Sequence, residues 1–188
     1  MNNKEIYIKL EKAVGDNNVQ EVSNILDQHS DLNLNDETLY TLHPPLCRAA
    51  KKGFYEICKT LIQHGADVNC IKDRLFSPLW GASSGNHLEI VKLLIENGAD
   101  INAYESSTTA ALNEAAAKGH FDIVRYLIEK GADINRLTTT LLFSPLDWSI
   151  SSGNDKISLL LKEKGALSNI NHDYVWSEVG GGISQHID

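Results

Sequence analysis

Short apolar stripes recur along the chain at helical spacing, separated by breaks centred on glycine. From about residue 88 to residue 96, Ile90, Val91, Leu94 and Ile95 fall on one side of a helix. Gly98 follows, where a left-handed residue closes such a helix. Upstream, Pro78 stands in the first turn of an earlier helix, where a missing N–H costs nothing. Leu79 and Ala82 give that helix a small apolar face, and its short Ala and Ser side chains let neighbours approach closely. Gly85-Asn86 breaks the chain between the two. The pattern predicts two short antiparallel helices, neither long enough to be stable alone in water.

The same arrangement returns along the sequence. Gly-Ala-Asp-Val/Ile-Asn occurs at Gly65–Asn69, Gly98–Asn102 and Gly131–Asn135, and Gly165-Ala166-Leu167-Ser168-Asn169 is a decayed copy. Pro45-Leu46, Pro78-Leu79, Ala111-Leu112 and Pro145-Leu146 keep the same steps of 33, 33 and 34 residues. A more divergent unit precedes these: Leu10, Ala13, Val22, Ile25, Leu26 and Asn33 each lie 36 residues before Leu46, Ala49, Cys58, Leu61, Ile62 and Asn69. Units in series bury their stripes against one another, which predicts a solenoid.

These motifs resemble the ankyrin repeat over roughly residues 4–170. The family's opening Thr-Pro-Leu-His matches Ser77-Pro78-Leu79-Trp80, and its Gly-His break matches Gly119-His120. Its second helix matches Glu89-Ile90-Val91-Lys92-Leu93-Leu94, and its close matches the Gly-Ala-Asp strings. The opening His is absent; Cys47, Trp80, Asn113 and Asp147 stand there, which puts the bonds that His makes between units in question. His29 replaces the closing Gly of the first unit. The resemblance implies an all-α ankyrin-repeat solenoid of helix-turn-helix units with β-hairpin fingers. An N-terminal capping repeat covers 1–35, repeats cover 36–70, 71–103 and 104–136, a C-terminal repeat covers 137–170, and a tail covers 171–188. The first and last fingers are expected to be longer, because Asn33 to Leu46 and Asn135 to Leu146 exceed the ten-residue spacing of the others.

Composition narrows the function. Of 188 residues, 17 are Lys or Arg and 25 Asp or Glu, a net charge of −8, which argues against a general phosphate-binding surface. No apolar run approaches the ~20 residues of a membrane span, and Met1 to Lys12 lack the apolar stretch of a secretory signal. Three cysteines without a CxxC pair fit a reducing cytosol. Cys58 and Cys70 read as small buried hydrophobes, since zinc needs four convergent ligands. The glycines at 180–182 are followed by no Lys and so form no phosphate loop. Ser77, Thr109 and Ser144 read as helix N-caps, because no base recurs beside them. Asp67, Asp100 and Asp133 read as turn residues. Catalysis, a metal and a cofactor are therefore not expected.

What is left free is the surface the family uses, the concave face of fingers and first helices. Arg74, Phe76, Trp80, Ser107, Lys118, Phe143 and Trp148 are its candidate contacts, aromatic groups beside cations as in protein-binding hot spots. Leu75, Phe76, Leu142 and Phe143 could equally pack finger against finger, and Trp80 and Trp148 could be half-buried with only the indole N–H exposed. Arg48, Lys51, Lys52 and Lys118 form either a basic strip for an acidic partner or solvated lysines offset by Glu114 and Asp147. In the tail, Tyr174, Val175 and Trp176 are expected to cap the last unit, the alternative being a tethered ligand. The expected protein is a cytoplasmic protein-binding module, monomeric when unbound, with neither nucleic acid nor membrane as partner. Alternatives are a stoichiometric inhibitor or immunity protein neutralising a toxin or enzyme, a secreted effector capturing a host protein, and a structural adaptor that oligomerises.

Overall fold

The computed structural model describes residues 2–36, 38–39, 43–70, 76–103, 110–139 and 141–170. These form ten helices in five consecutive pairs: α1 (Asn3–Gly15) with α2 (Val19–Gln28), α3 (Pro45–Lys52) with α4 (Tyr55–Gln63), and α5 (Pro78–Ser84) with α6 (Leu88–Glu96). The last two are α7 (Ala111–Lys118) with α8 (Phe121–Glu129) and α9 (Pro145–Ser151) with α10 (Asp155–Glu163). First helices stack on first helices and second helices on second helices along the chain. The first-helix row is the tighter one. Its facing positions are Ala49, Ala50, Gly81, Ala82, Ala115, Ala116 and Ser149, all buried. A Cβ at Gly81 would sit 3.3 Å from Lys51 Cβ and 3.4 Å from its backbone N, a tight contact that any larger residue would have to relieve by shifting α3 a few tenths of an ångström.

One continuous core runs through the stack, from Tyr7 and Leu10 through Leu46, Leu61, Leu79, Leu94, Leu112 and Leu127 to Leu161. A Gly-Ala string, followed by Asp in three of four cases, closes the second helix of each of the last four units. Gly65, Gly98, Gly131 and Gly165 have φ of 83° to 90°, and the following Ala N–H reaches back five residues, as in Ala99 to Leu94 O at 3.0 Å. The Asp carboxylate accepts from the Asn N–H two residues on, at 2.8 Å in Asp67–Asn69. In the first unit His29 has φ −131°, and α2 ends without a left-handed residue.

Two polar ladders link successive units. In the first, an Asn amide pairs with the backbone of the next closing string: Asn69 Nδ2 donates to Gly98 O at 3.1 Å, and Asn69 Oδ1 accepts from Asp100 N–H at 2.8 Å. Asn102 repeats this with Gly131 and Asp133, and Asn135 accepts from Leu167 N–H. The first rung belongs to Asn35, bonded to Gly65 and Asp67. Asn33 instead accepts from Asn35 N–H, the part played by the Asp elsewhere. The alignment of Asn33 with Asn69 is thus two residues out, because the first unit closes without the Gly turn. In the second ladder, the residue before α6, α8 and α10 satisfies carbonyls at the end of the preceding unit's first helix. His87 donates to Lys51 O, His120 to Ser84 O and Asn154 to Ala116 O and Ala117 O, at 2.8 to 3.3 Å.

The β-hairpin fingers are not borne out: there is no strand among the described residues. Residues 71–75 and 104–109, the middle of two fingers, lie outside the described residues, as does the tail with Tyr174, Val175 and Trp176. The last finger closes as a turn. Thr138 N–H donates to Phe143 O at 2.9 Å, and Thr138 Oγ1 accepts from Phe143 N–H, so a side chain takes one ladder position.

Leu94 is fully buried at the middle of the stack. Leu94→Ala should therefore cost about 2–5 kcal/mol through the cavity it leaves. Urea unfolding measures this, and an unchanged midpoint would contradict the stacking register.

Candidate protein-binding face

The positions of the missing opening His show how each unit is joined to its finger. Cys47 Sγ lies 3.6 Å from Cys70 O and 3.4 Å from Phe76 O. Asn113 Nδ2 donates to Arg136 O at 3.0 Å and Phe143 O at 3.3 Å. Both therefore hold carbonyls 23 and then 29 or 30 residues ahead. Asp147 has no proton to give and reverses the direction, accepting from Ser168 Oγ at 2.6 Å and Asn169 N–H at 3.1 Å. It also closes a capping box with Ser144. Bonding at this position survives the loss of His because three different side chains supply it.

Asp147 is buried. Burial pushes its pKa up, but the Ser168 hydroxyl, the Ser144 and Asn169 N–H groups and the Ser144 hydroxyl together outweigh it, so the carboxyl sits below its ordinary value.

The first-helix row and its fingers present two aromatic clusters. In the first, Phe76 is 8 % exposed, its ring 5.3 Å from that of Trp80 and 4.9 Å from that of His43. Lys51 Nζ stands 4.8 Å from the Phe76 centroid and 5.8 Å from that of Trp80, a cation laid over two faces. In the second, Phe143, also 8 % exposed, meets Trp148 at 5.1 Å. Phe76 and Phe143 thus serve as floors on which the half-buried indoles rest, and truncating either acts on the fold first. Trp148 Nε1 is buried without a partner among the described residues; the expectation that only this N–H would be exposed is reversed.

The cations of this row touch different groups. Lys118 Nζ donates to Ser84 Oγ at 2.8 Å and lies 3.3 Å from Glu114 Oε1, which also accepts from Ser84 Oγ. Its charge is locally balanced. Arg48 lies against the end of α1, where a Cβ at Gly15 would meet its Nη2 at 2.6 Å. Lys51 lies over the Phe76 and Trp80 rings. Asp147 is buried in its cap with Ser144. Arg74 and Ser107 lie outside the described residues.

The closing turn of the last finger turns two leucines outward. Leu141 and Leu142 are 53 % and 54 % exposed, and Leu142 has φ +54°, which a side chain rarely adopts. Asn169 Nδ2 holds that conformation by donating to Leu142 O at 2.9 Å. Hydropathy marks these residues as apolar; only the extra residue between Asn135 and Leu146 signals that the finger would turn differently.

A family model described as ankyrin repeats, in three copies, matches residues 10–105 and again 106–172. The chain belongs to the ankyrin-repeat family. No curated protein matches it. Ankyrin repeats are in general protein–protein interaction modules and typically non-catalytic. Among the described residues, no helix is long and apolar enough to cross a membrane, and no three His, Cys, Asp or Glu gather as metal ligands.

The depressed Asp147 pKa gives a pH-dependent stability with a definite sign. The ionised form is favoured in the fold, so its contribution is complete above about pH 4 and is lost as pH falls through the lower folded value. Asp147→Asn should lower stability by about 1–3 kcal/mol at pH 7. The gap should shrink in urea unfolding at pH 3, and a gap equal at both pH values would contradict this.

Proposed function

We propose that the chain is a non-catalytic protein-binding module whose partner docks on the first-helix row and the adjoining fingers. The observation that carries this reading is the pairing of a packed aromatic floor with accessible groups above it. Lys51 and Trp80 stand over Phe76, and Leu141 and Leu142 flank the Phe143–Trp148 contact. Rigid aromatic and aliphatic anchors lose little entropy on association. The framework groups are consumed by the two ladders, so this face is where residues stay free to answer a partner. Among the proposed contacts, Trp80, Trp148, Lys51 and Leu141 act on the partner, whereas Phe76 and Phe143 support them. Lys118 adds a neutralised polar contact at the edge.

The immobilised full chain, exposed to an extract of its native organism, retains its partner, which mass spectrometry identifies and titration quantifies. Lys51→Glu and Leu141→Ser should each weaken that complex about tenfold or more. Lys92→Glu and Arg125→Glu, on the second-helix row, should leave it unchanged. The opposite pattern, or no saturable partner, would overturn the assignment. A light-scattering mass of one chain at several concentrations fits this reading; a rising mass favours an oligomerising adaptor.

A further inference from the structure

Two of the three thiols are placed to react with each other. Cys47 sits in α3 and Cys70 directly follows the closing string of the same unit, with their sulfurs 3.6 Å apart. A disulfide needs about 2.05 Å, so the sulfurs must approach by about 1.5 Å. Cys47 is buried and Cys70 half-buried, so an oxidant meets Cys70 first, with Cys47 behind it as the second thiol. We propose that Cys47 and Cys70 are a reversible modification site, oxidised to an intramolecular disulfide by small disulfides of the glutathione class.

The Cys70 thiolate attacks one sulfur of oxidised glutathione, releasing one glutathione thiolate and leaving a mixed disulfide on Cys70. The Cys47 thiolate then attacks Cys70 Sγ; the bond to glutathione breaks and the second glutathione leaves. The two cysteines lose two protons and two electrons, and oxidised glutathione takes up both. The new bond ties α3 to the residue at the base of the 71–75 segment and withdraws the thiol that Cys47 directs at Phe76 O. Because Phe76 supports Trp80 and Lys51, the modification reaches the base of the proposed docking face, although the chemistry stands without that reading. Cys58 is a built-in control: it is fully buried, and burial pushes its thiol up to about 12.

The test treats the folded full-length chain with oxidised glutathione, then denatures it in acid, alkylates the remaining thiols and weighs it. The expected product is one chain, lighter by two hydrogens, with a single alkylated cysteine at 58, a Cys47–Cys70 linked peptide, and full reversal by dithiothreitol. Cys47→Ser should instead retain glutathione on Cys70. In concentrated urea the selectivity should vanish, since the shorter loops to Cys58 then favour other pairings. Three alkylated thiols, a persistent glutathione adduct on the unsubstituted chain, a linked dimer, or a bond to Cys58 in the folded protein would each overturn the proposal. So would the same Cys47–Cys70 selectivity in urea. The unsubstituted protein alone decides the matter if Cys47→Ser does not fold.

Discussion

No helix pair in this protein can cover its own apolar stripe. The second helices run nine or ten residues and the inner ones seven or eight after the first, lengths at which an isolated helix is marginal. Burial must come from the next unit, and this requirement dictates most of the composition. Leu46, Leu79, Leu112 and Leu146 recur because each fills the space between two units. The small residues beside them recur because the inner row must close up, with Gly81 the extreme case.

Apolar stacking alone would leave the units free to slide, and the polar groups remove that freedom. Asn35, Asn69 and Asn102 each pair with both a carbonyl and an N–H of the next unit, which fits one register only. His87, His120 and Asn154 satisfy carbonyls that a short helix leaves open at its end. At the opening position, Cys47 and Asn113 reach equivalent carbonyls, whereas Asp147 ties down the same stretch of its own unit by accepting from Ser168 Oγ and Asn169 N–H. The constraint is on where the bond falls, and it does not demand one residue type.

The helices were legible because their signals are local. Ile90, Val91, Leu94 and the Gly98 close define α6 as Leu88–Glu96, and Ser77 and Ser144 are N-caps as their hydroxyls suggest. Side-chain direction in the fingers was not legible, since it depends on what lies across the turn. Hydropathy treats Leu142 and Phe143 alike, yet the Thr138 bonds bury the second and turn out the first. Lys51 and Lys118 look equivalent in sequence, but one finds aromatic faces and the other a carboxylate. The two-residue offset of Asn35 was hidden for a related reason: spacing aligns residues, whereas bonding assigns their parts.

The face proposed for recognition exists only because burial and register are settled elsewhere, between units. Far-UV circular dichroism of fragments spanning one, two, three and five helix pairs tests that dependence most directly. The account predicts a coil for residues 76–103 alone and a helical signal per residue that climbs steeply as pairs are added. A signal per residue that is the same for one pair as for five would contradict it.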